Sequence, residues 1–554
     1  MAPLPYRPLV AATLALLFST PLAQAKSVPK VVTAPPSPMV DLGYAVYEGT
    51  TLAAGVNQFL GIRFAEPPTG GLRWRAPRDP GRESGVKQSA KQFGPICPGV
   101  PESSLPIDQP QSEDCLFMNV FAPSDATETS KLPVWVFIQG GGYATNANPN
   151  YNGTEVVTQS GHGLVTVNFN YRVGLFGFLA SEKVRADGDL NVGLLDQRKA
   201  LEWVQKYIHL FGGDPNHVVI HGASAGAGSV AYHLTAYGGR DDGLFIGAAP
   251  ESPFFPTSRT VEESEFQYDR LLSDTGCADA ESPLTCLRTL DFSSLQKASV
   301  LLPLREGLGK PKHYFLPVVD GDFSQDHMYT QFAEGRFIKV PLLVGGDTNE
   351  GDTFIMNPNA TTQEMANSFI HNNWPNLSEE DIEALSAAHP PHPRDLHEPY
   401  WGQGSDIYGN MTFACGGLLM SAAASKYVGA DKSWNYRYNV KEPYNVAQGK
   451  GATHTSETPA IWGVGMAGNS STSLGTYNAP MVPVIMNYYI SFVKTLNPNT
   501  LKSRHAPVFE GFGTGDGERM LLEMPLKKTG MEPVLDAQVK TCKMIIGLAA
   551  KTEQ

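Results

Sequence analysis

The stretch VVIHGASAG, residues 218–226, decides the fold. An apolar run precedes Ser224, which has a glycine two positions away on either side. Such small flanking residues let a strand turn sharply into a helix and expose the serine hydroxyl at the N-terminus of that helix. The helix dipole favours negative charge at that end. The pattern predicts a nucleophile elbow with Ser224 as the nucleophile, but glycine is common in this chain, so the match needs support from elsewhere.

Other apolar runs predict further strands of the same sheet. Residues 133–138, 164–169 and 340–344 are largely apolar, as expected of strands that are covered on both faces. Residues 191–211 have helical periodicity and lie between the run at 164–169 and the run at 218–220 that precedes Ser224. Strand, helix and strand at this spacing predict βαβ units. We therefore expect an α/β fold with a mostly parallel central sheet that is flanked by helices.

The N-terminus has the layout of a secretory signal peptide over residues 1–25. Arg7 supplies a positive charge, residues 9–18 form an apolar run, and Ala23-Gln24-Ala25 has the small residues of a cleavage site. A membrane anchor is the alternative, but the apolar run is too short to span a bilayer comfortably. We therefore expect a secreted, extracellular protein without a stable membrane anchor.

The rest of the chain divides into a leader and one long region. Residues 26–43 contain four prolines, which favours a flexible leader. Residues 44–554 are expected to form a single catalytic domain. Residues near 360–430 contain helical and loop-rich segments, which we interpret as cap insertions over the sheet.

Composition argues against two kinds of partner. A net charge of −13 and a pI near 5.5 disfavour binding to nucleic acid. The cysteines include no C-x-x-C pair, so we expect no metal site and no redox motif. The sequence gives no indication of the oligomeric state.

The cysteines and the glycosylation sequons both fit an exported protein. Six cysteines is an even number, and in an oxidising compartment they could pair in fifteen ways. Short separations favour Cys97–Cys115 and Cys277–Cys286, which leaves Cys415–Cys542. Acceptor sequons for N-glycans begin at Asn152, Asn359, Asn376, Asn410 and Asn469.

A serine nucleophile needs donors for the oxyanion of its tetrahedral intermediate. Glycines 140–142 follow a predicted strand, and their backbone N–H groups can approach a substrate oxygen because no Cβ intervenes. A flexible turn is the alternative interpretation of these glycines. The amide of Ala225, directly after the nucleophile, is a further candidate donor.

The nucleophile also needs an acid that orients its base. Glu350 lies just past the strand predicted at residues 340–344, and sites in α/β proteins form at the carboxyl ends of parallel strands. Asp347 and Asp352 are competing candidates on the same loop. A solvated acidic turn is the structural alternative for all three.

His454 is the candidate base. His221 is closer to Ser224 in sequence, but it belongs to the strand before the turn and is expected to point elsewhere. The order Ser224, Glu350, His454 is the serine, acid, histidine order of the α/β hydrolases. That order supports all three assignments together.

With these motifs the chain resembles the type-B carboxylesterase/lipase family, the cholinesterase-like branch of the α/β hydrolases. Within that family it resembles the secreted fungal esterases. Similar blocks extend along nearly the whole mature chain: FLGIRFAEPP at 59–68, SEDCL at 112–116 and FGGDP at 211–215. The resemblance implies an α/β-hydrolase fold and a serine carboxylesterase that acts on a small ester without a cofactor.

The resemblance also supports the three cysteine pairings and assigns roles to individual residues. For one of these residues, Ser252, the alternative interpretation is a serine at the end of a strand that faces water. The implied roles are acid for Glu350, oxyanion donors for Gly141, Gly142 and Ala225, a hydrogen bond from Ser252 to the acid carboxylate, and an ion pair between Arg73 and Glu113.

Two departures from the family pattern concern the substrate. Ala223 stands where the family usually has glutamate, and the loop between Cys97 and Cys115 contains no aromatic residue. In cholinesterases these positions help to bind the cation of choline. We therefore expect no preference for choline esters.

The same loop is short and contains four prolines, so it cannot form the long amphipathic lid of the family's lipases. We expect an uncapped gorge that acts on soluble esters with short to medium acyl chains. A triacylglycerol lipase and a specialised feruloyl or toxin esterase are the alternative enzymes. A non-catalytic binding or adhesion protein is the alternative of another class, and the filled triad positions disfavour it.

Overall fold

A computed structural model describes residues 37–82, 86–101, 110–146, 150–355, 360–467, 473–513 and 517–554, all within one compact unit, Ser37–Gln554. The predicted signal peptide, the first part of the predicted leader, the sequons at Asn359 and Asn469, and residues 102–109 of the proline-rich loop lie outside these ranges.

In the part of the chain that the structure describes, a central sheet has eleven strands in the order β14-β13-β12-β11-β10-β9-β7-β8-β6-β4-β3. The strands from β8 to β13 in this order are parallel, and the remaining strands at both edges are antiparallel to their neighbours. The α/β fold with a mostly parallel sheet is confirmed. The strands are β1 (Met39–Asp41), β2 (Val46–Glu48), β3 (Thr50–Leu52), β4 (Val56–Arg63), β5 (Lys87–Ser89), β6 (Phe117–Pro123), β7 (Leu132–Ile138), β8 (Val165–Phe169), β9 (Gly213–Ala223), β10 (Gly247–Glu251), β11 (Leu342–Asp347), β12 (Ser433–Tyr438), β13 (Glu518–Leu522) and β14 (Gly530–Pro533).

The middle of the sheet is covered on both faces. In β7, Val134 and Val136 belong to one hydrophobic core, and Trp135 and Phe137 belong to the core on the other face. Side chains alternate between the two faces of a strand, so a strand covered on both sides needs an uninterrupted apolar run. This explains why the central strands are easy to recognise in the sequence.

Helices cover both faces of the sheet and follow several strands directly. Short 3-10 turns extend α4 and lie at Glu350–Thr353, and a π-helical turn at Asn410–Ala414 joins α12 to α13. The helices are α1 (Thr154–Gln159), α2 (Gly174–Phe178), α3 (Glu182–Asp187), α4 (Val192–Tyr207), α5 (Ala225–Gly239), α6 (Val261–Thr275), α7 (Pro283–Thr289), α8 (Phe292–Ala298), α9 (Met328–Glu334), α10 (Gln363–Asn373), α11 (Glu379–Ala388), α12 (Pro399–Gly409), α13 (Cys415–Tyr427), α14 (Pro443–Val446), α15 (Thr458–Trp462), α16 (Val482–Thr495), α17 (Asp536–Gly547) and α18 (Ala549–Thr552). Within the described residues, no helix is both long and apolar enough to span a bilayer.

One boundary in the N-terminal region differs from its prediction. Residues 39–41, which the sequence assigns to a flexible leader, form β1 and pair antiparallel with β2. The ladder satisfies the backbone of β1, and Val40 packs against the main core. Because β1 has only three residues, it is too short to show an alternating hydrophobic pattern that would predict a strand.

The disulfides are the three predicted pairs, Cys97–Cys115, Cys277–Cys286 and Cys415–Cys542. Arg73 and Glu113 form the implied ion pair with two parallel hydrogen bonds, 2.6 Å from Nε to Oε1 and 2.7 Å from Nη2 to Oε2. Cys415–Cys542 joins α13 to α17, and Cys277–Cys286 joins the turn after α6 to α7.

The three sequons in the described residues have different surroundings. Asn376 is exposed, and Asn152 is partly buried with its Oδ1 accepting from the amide of Thr154. Asn410 lies in the π-helical turn, with Nδ2 2.9 Å from Nε2 of His389. The helical backbone and this contact disfavour glycan attachment at Asn410.

Candidate active site

Parallel strands bring the candidate residues to one edge of the sheet. The strands β7, β9 and β11 end at Ile138, Ala223 and Asp347, and parallel strands place their carboxyl ends together. The loop that holds residue 454 joins this edge through Asn349, whose amide donates to the carbonyl of Ala452 at 2.9 Å. Four segments that are distant in sequence thus meet at this edge.

The turn at Ser224 is strained and crowded. Ser224 has φ 60° and ψ −124°, a conformation that residues with a side chain rarely adopt. A Cβ on Gly222 would lie 2.2 Å from the carbonyl oxygen of Gly226, and a Cβ on Gly226 would lie 1.9 Å from that of Ile138. Both flanking positions therefore require glycine, which is why the sequence pattern marks the turn.

Ser224, His454 and Glu350 are connected by two short hydrogen bonds. Nδ1 of His454 lies 2.5 Å from Oε2 of Glu350, and Nε2 lies 2.7 Å from Oγ of Ser224. A carboxylate only accepts, so Nδ1 carries the proton and Nε2 of the neutral ring accepts from the serine hydroxyl. The side chains of His454 and Glu350 are 7% and 3% exposed, so bulk water competes little for these bonds.

The two competing acids have other partners. Asp352 accepts from Ser405 Oγ at 2.7 Å and from the amide of Gly451 at 3.0 Å. Asp347 contacts the candidate acid only through its backbone, because its amide donates to Oε1 of Glu350 at 2.8 Å. Of the three carboxylates on this loop, Glu350 is the one that meets the imidazole.

The glycine loop passes directly beside the serine. A Cβ on Gly140 would lie 2.8 Å from Cβ of Ser224, and Gly141 and Gly142 have φ of 109° and 63°, which favour glycine. Among the residues that the structure describes, the amides of Gly141, Gly142 and Ala225 donate to no backbone carbonyl. These three N–H groups are therefore available to a substrate oxygen.

Ser252 differs from its predicted contact. Its hydroxyl donates to Oδ2 of Asp347 at 3.4 Å rather than to Glu350, and the side chain is buried rather than facing water. The cause is the backbone after β10, where Ser252 has φ 52° and its amide donates to Gly345. The expected direct bond to the acid carboxylate is wrong.

His221 points away from Ser224, as expected of a residue on the preceding strand. Trp135 Nε1 donates to its Nδ1 at 3.1 Å, so the opposite nitrogen, Nε2, carries the proton and donates to Oε2 of Glu251 at 3.1 Å. Burial lowers the pKa of His221 to about 3, so the ring stays neutral at physiological pH.

A cluster of buried acids lies behind Ser224, His454 and Glu350, and no sequence motif indicates this cluster. Glu251, Asp347 and Glu457 are buried near Glu350. Burial raises the pKa of Glu251 to about 8, and burial together with the neighbouring carboxylates raises the pKa of Asp347 and of Glu457. Glu251 and Asp347 are the last residues of β10 and β11, and Glu457 caps the start of α15, so only the folded chain brings them together.

Aromatic rings form a wall next to His454. Phe413 and Phe354 have ring centroids 4.2 Å and 5.0 Å from that of His454, and Phe354 and Phe413 stack on each other. Phe254 extends this wall to His313, which packs against Gly142. Such a wall excludes water and favours an apolar group on the substrate.

Comparisons with known proteins agree with this architecture. A family model described as "Carboxylesterase family" matches residues 36–541. Among curated proteins, Lipase 5 of Diutina rugosa is 35% identical over 399 residues, 67% of this chain and 72% of that protein. Secreted lipase 1 of Botryotinia fuckeliana is 30% identical over 527 residues, 86% of each chain.

Two solved structures are also similar. The crystal structure of Aspergillus niger EstA has a TM-score of 0.89 and 50% sequence identity, and the match covers 94% of this chain and 99% of that one. A structure titled PNB esterase has a TM-score of 0.74 and 28% identity, with coverage of 92% and 99%.

Proposed function

This chain belongs to the carboxylesterase family, and we propose that it hydrolyses carboxylic esters with Ser224 as nucleophile, His454 as base and Glu350 as the acid that orients the base. The observation that carries the proposal is the pair of hydrogen bonds at His454, 2.7 Å to Ser224 and 2.5 Å to Glu350. Both lie within the reach that proton transfer requires.

Acylation follows from this geometry. The oxygen of Ser224 attacks the ester carbonyl carbon while Nε2 of His454 takes the hydroxyl proton. Glu350 holds the ring in the tautomer with the proton on Nδ1 and stabilises the imidazolium that forms. His454 then donates its new proton to the leaving alcohol, and the acyl group remains on the serine.

The oxyanion of each tetrahedral intermediate rests on the amides of Gly141, Gly142 and Ala225. The positive φ values of both glycines support this role, as does the absence of a competing backbone acceptor among the residues that the structure describes. Each such donor contributes about 3 kcal/mol to lowering the barrier. The N-terminus of α5, which begins at Ala225, adds a favourable dipole.

Deacylation repeats the sequence of proton transfers with water as the nucleophile. His454 takes a proton from water, the hydroxide attacks the acyl-enzyme, and the serine leaves with the proton from His454. The burial of the His454 and Glu350 side chains and the wall of Phe354 and Phe413 limit competing solvent around the ring. No step needs a cofactor.

The preferred substrates are soluble esters with short to medium acyl chains. Ala223 leaves no carboxylate beside the nucleophile to attract a cation, and the aromatic wall offers an apolar surface. A triacylglycerol lipase is the second candidate, because several relatives bear the name lipase. Relatives named as secreted lipases, together with the signal-peptide layout, support secretion.

A chain-length series tests the proposal. We expect kcat/KM for p-nitrophenyl esters to be highest from acetate to octanoate and emulsified long-chain triglyceride to be hydrolysed slowly. Ser224→Ala serves as the blank and should lose at least about 10⁴-fold in kcat. Full activity of Ser224→Ala, or much faster hydrolysis of the emulsion, would overturn the respective part of the proposal.

A further inference from the structure

Two buried carboxyl groups flank the acid and the base at the same distance along the chain. Asp347 precedes Glu350 by three residues, and Glu457 follows His454 by three residues. Both carboxyl groups are buried, and they lie within hydrogen-bonding reach of each other. Their contact therefore joins the loop that carries the acid to the loop that carries the base.

Each of these carboxyl groups has one oxygen with a donor and one without. Oδ2 of Asp347 accepts from Ser252 Oγ at 3.4 Å and from the amide of Ser456 at 3.3 Å, and Oε1 of Glu457 accepts from Tyr436 OH at 3.1 Å. Oδ1 of Asp347 and Oε2 of Glu457 are buried, and no donor from the described part of the chain reaches either oxygen.

Two ionised carboxylates cannot satisfy each other, because each can only accept a hydrogen bond. A buried acceptor without a donor destabilises the fold, and a second unpaired buried charge destabilises it more. One proton between Oδ1 and Oε2 removes both problems, since the protonated group then donates to the ionised one.

The surroundings offer no cation in place of that proton. None of the ion pairs within the described ranges involves Asp347 or Glu457, and the charges that act on both are acidic. Burial and these charges raise the pKa of both groups. The titratable groups that face the pair are Glu350, Glu251, Tyr436, Tyr438 and Tyr489, with His454 behind Glu350 and His221 behind Glu251.

We propose that Asp347 and Glu457 share a single proton and act as a positioning unit that carries one negative charge behind Glu350 and His454. The inference rests on the proposed function, since it concerns the loops that hold the proposed acid and base. The shared proton fixes these loops relative to each other. The single remaining charge favours the imidazolium form of His454, which appears in each proton transfer.

The number of charges on the pair can be measured through the acid limb of the pH profile. The acid limb of kcat/KM reports protonation of the base in the free enzyme. Asn and Gln mimic the protonated forms of Asp and Glu, so Asp347→Asn or Glu457→Gln alone leaves one negative charge on the pair. The double variant Asp347→Asn/Glu457→Gln leaves none.

We expect each single variant to keep the acid limb of the wild-type enzyme and to retain kcat within about threefold. The double variant should shift the acid limb to lower pH by about 0.5 to 1 pH unit, because one nearby negative charge is lost. Glu518→Gln, an exposed change on β13, is the control and should shift nothing.

Other outcomes overturn the proposal. A downward shift in either single variant means that both carboxylates are ionised, and no shift in the double variant means that both are protonated. If one single variant does not fold, the other is enough to test whether both carboxylates are ionised. Failure of the proposed function would give a different result, because Ser224→Ala would then hydrolyse the ester as fast as the wild-type enzyme at every pH.

Discussion

Gly226 lies against Ile138 so closely that a Cβ on the glycine would stand 1.9 Å from the carbonyl oxygen of the isoleucine. This contact packs the start of α5 against the end of β7, the strand that leads into the glycine loop. It therefore fixes the position of Ser224, the proposed nucleophile, relative to the proposed oxyanion donors.

Gly226→Ala should consequently abolish activity. We expect a loss of more than about 100-fold in kcat/KM, or failure to fold, because backbone rather than a flexible side chain must move. Gly547→Ala is the matched control, since a Cβ there meets nothing within 4 Å. Esterase assays and thermal unfolding of both variants test this, and wild-type activity of Gly226→Ala would contradict it.

Stability should fall as the pH rises, because of Glu251. Its pKa is raised to about 8, chiefly by burial, whereas an unfolded glutamate titrates near pH 4.3. The stabilising contribution of the protonated form is complete below the unfolded pKa and is lost as the pH rises to the folded pKa. Between about pH 4.5 and pH 8 the folded state binds more protons than the unfolded state, and the loss is about 3 to 5 kcal/mol.

Glu251→Gln should flatten that dependence, because a glutamine stays neutral. Urea unfolding at pH 5, 6.5 and 8 measures the free energy of unfolding in both proteins. An identical pH slope for the variant and the wild-type protein would rule out Glu251 as the source.

The disulfide that spans the longer segment should contribute more to stability. Cys415–Cys542 closes 127 residues and Cys277–Cys286 closes 9. Loop-closure entropy gives about 5 and about 2.5 kcal/mol for the two. Replacing each pair by serines and comparing urea unfolding tests this ranking, and a larger loss from the shorter loop would contradict it.

Choline esters should have no advantage as substrates. Ala223 cannot attract the quaternary ammonium group, so butyrylcholine should not exceed a neutral butyrate ester of similar size in kcat/KM. The comparison needs only the wild-type enzyme and two substrates. A preference of tenfold or more for the choline ester would show that another part of the gorge binds the cation.

The sequence predicted those parts of the fold and site that depend on local constraints. Residues flanking Ser224 are small because backbone atoms crowd the turn, and β7 is apolar because both faces are covered. Such constraints leave a pattern within a few neighbouring residues. The elbow and the central strands could therefore be located in the sequence.

Features that arise from tertiary contacts could not be predicted in this way. Glu457 and Asp347 are 110 residues apart in the chain, and no local sequence pattern in either segment predicts that their carboxyl groups meet. The incorrect prediction that Ser252 bonds to Glu350 has a similar origin, because the positive φ of Ser252 turns its hydroxyl toward Asp347. The three-residue strand β1 is stabilised by pairing with β2, and it is too short to have a recognisable hydrophobic period in the sequence.

The central claim is that His454 makes Ser224 a nucleophile beside the proposed oxyanion donors. Mass spectrometry of tryptic peptides after treatment with an organophosphate tests it most directly. We predict one phosphorylated peptide that contains Ser224, no label in Ser224→Ala, and labelling slowed at least about 10³-fold in His454→Ala. Equal labelling of His454→Ala, or a label on another residue with Ser224 unmodified, would contradict the account.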